Sequence, residues 1–384
     1  MKEPKIRFKG FQGEWVEKAL GCCVAFWDSM RQPIEEVKRI KGIYPYYGAS
    51  GVVDYINDYI FDEELILLSE DGANITDRNY PVCFIARGKY WVNNHAHVLK
   101  ANKGFDNVFL CNNLERKDYT QYNTGMAMPK LNKEVCIRIP VFYPTLPEQQ
   151  SIASYFQHLD SLIQSTTKKI ESLKQVKAAS LQSMFPQEGE TTPRVRFKGF
   201  EGEWEKVRAS NVFKTFNEKN RPDLPVLSAT QDRGMVTREA IGYNIFHDKS
   251  NEATYKHILP GQFIIHLRSF QGGFAHSAIE GIASPAYTIM EFRNKTRHFD
   301  LYWKYIFMSK EFIKRLELIT YGIRDGRSIS FEEFSEMYFT VPSYEEQQKI
   351  ASYFTLLDRQ ISLQTQRLEK LKQIKSACLD NMFV

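Results

Sequence analysis

The chain has 384 residues, 43% of them hydrophobic and 14% aromatic, with 51 Lys and Arg against 46 Asp and Glu for a formal charge of +5. This length supports two or three domains with their own cores, and so many Phe and Tyr exclude a disordered, mucin-like or low-complexity chain. No run of about 18 to 20 apolar residues is present, the basic start lacks a following apolar segment, and the six cysteines form no paired framework, so the reading is a cytoplasmic chain with reduced thiols, neither secreted nor membrane-spanning.

The first segment, 4–15, reads PKIRFKGFQGEW. In the block that follows, short β-branched and aromatic runs at 52–56, 65–68, 82–85 and 90–92 predict strands, punctuated by Gly51, Asp71, Gly72 and Gly88. Residues 145–148 (TLPE) spell a capping box: a hydroxyl for an early backbone N–H, and a glutamate three residues on to reach back. From there Ile152, Phe156, Leu159, Ile163, Ile170, Leu173 and Leu181 step by threes, fours and their sums, close to a heptad seam. After Pro147 in its first turn this run meets no Pro or Gly before Pro186, which predicts a helix of about 40 residues and roughly 60 Å. A polar linker, PQEGETTP, leads into a second half.

That second half repeats the plan. Residues 193–204 read PRVRFKGFEGEW, identical to 4–15 at nine of twelve positions, and 342–383 align without a gap on 144–185 with about half the letters shared. Strands are predicted at 225–227, 262–266 and 287–290, then a helix at 302–318 whose Tyr305, Ile306, Phe312, Ile313 and Leu316 read as core. A second capping box (SYEE, 343–346) opens a helix with the seam Ile350, Phe354, Leu357, Ile361, Leu368, Leu371 and Leu379. The blocks between the repeats are unlike each other. Two similar supports carrying two dissimilar bodies predict a pseudo-twofold molecule with two equivalent docking sites for a symmetric partner. The two helices are expected to pair antiparallel and to receive partner helices through Phe156, Leu159, Ile163, Leu173, Phe354, Leu357, Ile361 and Leu371.

Loops at 71–80, 87–100, 124–133, 266–276 and 321–330 mix Arg, Lys, Asn, Gln and Ser with Gly, the residues that bond base edges or phosphates. Candidates for such contacts are Arg78, Lys89, Asn93, Asn94, Lys130, Arg233, Arg268, Gln271, Arg324 and Arg327. Catalytic signatures are missing: no G-x-x-x-x-G-K-[ST], G-x-G-x-x-G after a strand, H-E-x-x-H, G-x-S-x-G or Asn/Asp-Pro-Pro-Tyr occurs. His95 and His97 alternate along a strand and would share a face, but lack an evident third ligand, so no metal site is assigned. Pro222 and Asp223 read as a turn after Arg221 rather than a nuclease motif.

These features together resemble one family, the specificity subunits of type I restriction-modification systems. The resemblance rests on R-F-x-G-F-x-G-E-W at 7–15 and 196–204, on P-x-x-x-E-Q-Q-x-I-A-x-x-F-x-x-L-D from Pro144 and Pro342, and on the motifs YGASG (47–51) and NHAH (94–97). It implies an α+β chain: two mixed α/β target-recognition domains (1–143 and 193–341) separated by two long antiparallel coiled-coil helices (144–186 and 342–384), with a linker at 187–192, in a pseudo-twofold arrangement. It further implies a non-catalytic subunit that binds double-stranded DNA, each domain reading half of a split asymmetric target. Two modification subunits carrying S-adenosylmethionine would methylate adenine, and two restriction subunits using ATP and Mg could join; no cofactor is expected on this chain. The competing readings are a coiled-coil adaptor that binds only proteins and an enzyme with its own nuclease or methylase centre. Salt-dependent duplex binding separates the first, and activity of the isolated chain the second.

Overall fold

A computed structural model describes residues 2–230, 233–241, 249–266, 273–320 and 329–384. The chain divides into two compact units, one formed by Met1–Lys168 with Thr365–Val384 and the other by Lys169–Gln364. Its two long helices, Leu146–Ser183 and Tyr344–Asn381, each contribute their beginning to one unit and their end to the other.

The first unit holds strands β1 (Val16–Ala19), β2 (Val24–Phe26), β3 (Lys41–Gly48), β4 (Gly51–Ile56), β5 (Phe61–Asp62), β6 (Leu65–Ser69), β7 (Cys83–Ala86), β8 (Lys89–Val92), β9 (Ala96–Ala101) and β10 (Pro140–Tyr143). They form the sheets β2-β9-β6-β7 and β4-β3-β8-β5 and the pair β1-β10. The second unit holds β11 (Glu205–Arg208), β12 (Phe213–Phe216), β13 (Leu227–Thr230), β14 (Gly234–Thr237), β15 (Lys256–Ile258), β16 (Phe263–Ile265), β17 (Phe274–His276), β18 (Gly281–Ala283), β19 (Thr288–Phe292) and β20 (Tyr338–Val341). Its sheet β12-β19-β16-β17 and pair β11-β20 repeat the first unit's order, while β13-β14 and β15-β18 stand as separate pairs. Blocks without sequence likeness therefore share a central antiparallel sheet.

The central strand of each sheet explains itself. All of Leu65, Ile66, Leu67 and Leu68 on β6 are buried, so the usual in-out alternation is gone. Ile66 and Leu68 join the core around Trp15, Phe109 and Phe156, whereas Leu65 and Leu67 join a second core around Phe61, Tyr90 and Val98. On β16, Phe263 and Ile265 face one core and Ile264 the other in the same way.

What the repeated letters do becomes visible at the helix starts. Arg7 donates to both carboxylate oxygens of Glu148 at 2.7 and 2.8 Å and to the carbonyls of Gly13 and Gln12, closing its own box into a turn. Arg196 does the same to Glu346 at 2.7 and 2.7 Å and to the Gly202 carbonyl. These glutamates, expected to reach back as helix caps, are buried and spent on the arginines instead; at the second start only the hydroxyl half remains, with Ser343 Oγ accepting from the Glu346 N–H. The neighbouring glutamines are also matched: Gln149 and Gln347 accept from the N–H of Asp106 and Phe299 and donate to the carbonyls of Pro144 and Pro342. Each box additionally satisfies a carbonyl at the end of the other helix, through Ile6 N–H to Asn381 O and Val195 N–H to Ser183 O, both at 2.9 Å.

Within each unit the helices run antiparallel. In the first, Lys375 Nζ meets Asp160 at 2.6 Å and Tyr155 Oη lies 3.5 Å from Cys378 Sγ; in the second, Lys177 Nζ meets Asp358 at 2.5 Å and Ser180 Oγ lies 3.0 Å from Tyr353 Oη. Phe383 at the end of the second helix packs with Trp15, Phe109 and Phe156, and Phe185 beyond the first helix packs with Tyr302 and Phe354.

Several sequence-based elements need correction. The strand predicted over 225–227 instead runs Leu227–Thr230, with only Leu227 in common. The helix predicted over 302–318 is two helices, Asp300–Met308 and Lys310–Thr320, because Ser309 adopts an extended conformation and its Oγ accepts from the Phe312 N–H. Strand β3 was not expected, since Gly42, Pro45 and Gly48 punctuate it; its irregular register with β4 absorbs them.

Candidate nucleic-acid interface

Three of the loops flagged in the sequence, with the turn that holds the motif YGASG, converge at one end of the first unit. The anchor is the C-terminal end of β6: buried Ser69 donates its N–H to the Val82 carbonyl and its Oγ–H to the Ala49 carbonyl, which fixes the β3-β4 turn. Gly51 closes that turn at φ 116°, where a side chain would be strained. Next, the Glu70 N–H donates to His95 O at 2.9 Å, Leu131 N–H to Glu70 O at 2.7 Å, and Gly72 N–H to Pro129 O at 3.0 Å. The parallel pairing of β3 with β8 brings in the remaining loop, where Asn93 N–H donates to Tyr47 O and Asn93 Oδ1 accepts from the His95 N–H. The motif YGASG, the start of loop 71–80, NHAH and loop 123–130 thus form one surface.

Charge is organised beneath it. Arg31 donates to Glu70 at 2.6 Å and to the Ala96 carbonyl at 2.8 Å, and Lys130 Nζ stands 3.6 Å from Glu70. His97 is buried, with Nδ1 at 2.8 Å from Asp28 and Nε2 at 2.7 Å from the Leu131 carbonyl. Both partners only accept, so both ring nitrogens carry protons and the imidazole is a cation. Burial opposes that charge, but the hydrogen bond to Asp28 and the negative charge of that carboxylate help to outweigh it, and the pKa is raised to about 10. For Asp28, burial is likewise overcome by the bonds from His97 and the Val98 N–H, and its pKa is lowered. His95 is exposed and paired with Asp71 at 2.9 Å, so the two histidines do not share a ligand face as alternation suggested; the residue before β9 has already left the strand. Among the described residues no group of three or more His, Cys, Asp or Glu is arranged to hold a metal ion.

The individual candidates fall into different places. Lys130, exposed Asn94 and the Asn93 backbone belong to the converged surface, but the Asn93 side chain is buried and holds the loop. Arg78, at φ 55°, is spent on the carboxylate and carbonyl of Glu115, whose carboxylate also receives the N–H groups of Val82 and Cys83. Lys89 lies at the opposite end of β8 from Asn93, with Nζ 4.5 Å from the Tyr59 ring centroid. Arg233 sits in the β13-β14 turn, exposed, its guanidinium 3.3 Å from the Ala240 carbonyl. This hairpin leans on β17: a Cβ on Gly234 would meet the His276 carbonyl at 2.3 Å. Arg268, Gln271, Arg324 and Arg327 lie outside the described residues. Arg221 pairs with Asp223 across the turn expected there.

The helix residues expected to receive a partner need a sharper correction. Phe156, Leu159, Phe354 and Leu357 are buried in the units' own cores, and Leu173 and Leu371 pack partly on them, so these side chains are consumed internally. Ile163 and Ile361 keep intermediate exposure, and the large apolar side chains these helices leave exposed are Val176, Leu356, Leu363 and Ile374. Sequence reasoning passed over Arg31, Asp28, Ser69 and Glu70; a polar Ser-Glu-Asp-Gly run ending the most apolar strand was the available signal.

A chain with two like-built α+β units, each clamped by an Arg–Glu pair to the start of a long shared helix, defines the class. The model of the type I restriction modification DNA specificity domain matches residues 13–175 and again 201–373, and the chain belongs to that family of specificity subunits. Over 395 aligned residues it is 22% identical to the MjaVIII specificity subunit of Methanocaldococcus jannaschii, covering 96% of this chain and 91% of that one. It is 32% identical over 154 residues to a putative type I restriction enzyme specificity subunit of Haemophilus influenzae, a match spanning 40% of this chain and 39% of the relative. The crystal structure of a type I restriction-modification S subunit from M. genitalium has the same fold, with a TM-score of 0.69 at 13% identity over 100% of this chain and 99% of that one. No described helix is long and apolar enough to cross a membrane.

Proposed function

We propose that this chain reads a bipartite, asymmetric duplex target and directs adenine methylation, and restriction where restriction subunits are present, by partner subunits, with no catalysis of its own. The observation that carries this reading is the repetition of one frame, down to the Arg7–Glu148 and Arg196–Glu346 clamps, in two units whose intervening blocks have no sequence likeness. Two equivalent frames suit two copies of a modification subunit, each docking through the exposed apolar side chains of the long helices. S-adenosylmethionine, ATP and Mg belong to those partners.

Each unit takes one half of the target. Lysines such as Lys130 hold phosphates and set register, and exposed side chains such as Asn94 and Arg233 face bases. A 38-residue helix rises by about 57 Å, so helix length is converted into the number of unread base pairs between the halves. Mapping methylated adenines across a genome with and without this chain tests the reading. Methylation at one split motif, present only with the chain, is expected; methylation independent of the chain, or its absence from every duplex site, rejects it.

A further inference from the structure

Loop 123–130 carries a feature that base-edge reading does not use. Met126 is fully exposed and Met128 is 60% exposed at its tip, with Ala127 between them also exposed. The loop does not let them fold back. Asn123 Oδ1 accepts from the N–H of Gly125 and of Lys130, both at 2.9 Å, and Thr124 donates through N–H and Oγ1 to the Lys130 carbonyl at 2.8 and 3.0 Å. A Cβ on Gly125 would lie 1.7 Å from the Met128 carbonyl oxygen, so only glycine closes the tip. Pro129 and Leu131 then tie its base to Gly72 and Glu70. These bonds close the stem, and both methionine side chains are left exposed.

We propose that the tip 125–129 is an apolar wedge that presses Met126 and Met128 against the stacked bases of the duplex, adding shape readout within one half-site. This rests on the DNA-reading function proposed above. The tip has no side-chain hydrogen-bond donor and no acceptor beyond the weak thioether sulfurs, so it is poorly suited to reading base edges by hydrogen bonds. Methionine and proline are among the residues that enter between base steps, where unstacking depends on the sequence being deformed. DNA is the occupant because the wedge is continuous with the converged loops: Lys130 follows it directly, and exposed Asn94 and His95 stand on the adjoining loop as polar flanks.

The test uses the full chain assembled with its modification subunits and a duplex of the methylation-mapped target, with 2-aminopurine placed singly along both halves. The parent is expected to raise the fluorescence at one step other than the methylated adenine. Replacing Met126→Ser and Met128→Ser together should abolish that rise and weaken target binding by about tenfold, while random-duplex binding and the salt slope stay unchanged. Met126→Leu, which keeps an apolar wedge, should retain both. A tightly binding parent without any such rise, or a double serine variant that matches the parent, overturns the proposal. So does a serine variant whose defect is failed assembly with the modification subunits, which would make the tip a protein contact. If the parent complex does not bind its target duplex at all, the DNA-reading function itself falls, and the wedge with it.

Discussion

Replacing Arg7 by leucine tests the clamp that joins the repeated box to the repeated helix. The change leaves the Glu148 carboxylate, 2% exposed, without its two charge-assisted bonds, and frees the carbonyls of Gly13 and Gln12. Removing one member of a buried ion pair costs about 3–5 kcal/mol; because the Arg7 side chain is itself 16% exposed and water can partly replace it, about 3 kcal/mol is expected. In a unit of this size each kcal/mol is about 2–4 °C, so the first unit's transition in scanning calorimetry should fall by about 6–12 °C. Removing both partners, Arg7→Leu with Glu148→Leu, leaves no stranded charge and should cost less than Arg7→Leu alone. The same order should hold for Arg196 and Glu346, whose carboxylate is 1% exposed. An Arg7→Leu protein within about 0.5 kcal/mol of the parent, or a double variant that loses the full sum of the single losses, would refute the reasoning.

Three further outcomes follow from the same structure. Because the pKa of His97 is raised in the folded chain, its stabilisation is fully present below its ordinary value near 6.5 and is lost as pH rises toward about 10; His97→Asn should flatten the fall in urea midpoint between pH 7 and 9.5, and an unchanged slope contradicts the charged assignment. Phe156→Ala and Phe354→Ala, at equivalent fully buried positions, should each cost about 3–5 kcal/mol in denaturant unfolding, with a near-zero loss at either site contradicting its place in the core. Inserting four residues, about one helical turn, before Gln164 should lengthen the unread spacer in methylation mapping; an unaltered spacer removes the helix from that role.

The frame was legible in the sequence because both members of each clamp lie inside repeats: RFKGF supplies the arginine and EQQ the glutamate. Their mutual contact was not, since 141 residues separate Arg7 from Glu148 and the same glutamate also satisfies a capping pattern. Strand β6 could be read from its apolar run, although only the two cores on its faces explain why it does not alternate. The break at Ser309 escaped notice because serine is tolerated within helices, and what decides here is its cap on Phe312. Loop chemistry was visible as composition alone. Gathering Gly51, Gly72, Asn93 and Lys130 at one end depends on the parallel β3-β8 pairing and on the Ser69 anchor, which no local pattern specifies. His97 illustrates the same limit: an apparent ligand became a buried cation once Asp28 and Leu131 were placed beside it.

The most direct measurement exchanges residues 205–341 for the corresponding block of a relative with a different target, then maps methylated adenines genome-wide. Two units reading independently from a common frame predict a new motif in which one half changes while the other half and the spacer persist. A motif altered in both halves, or in neither, would contradict the account.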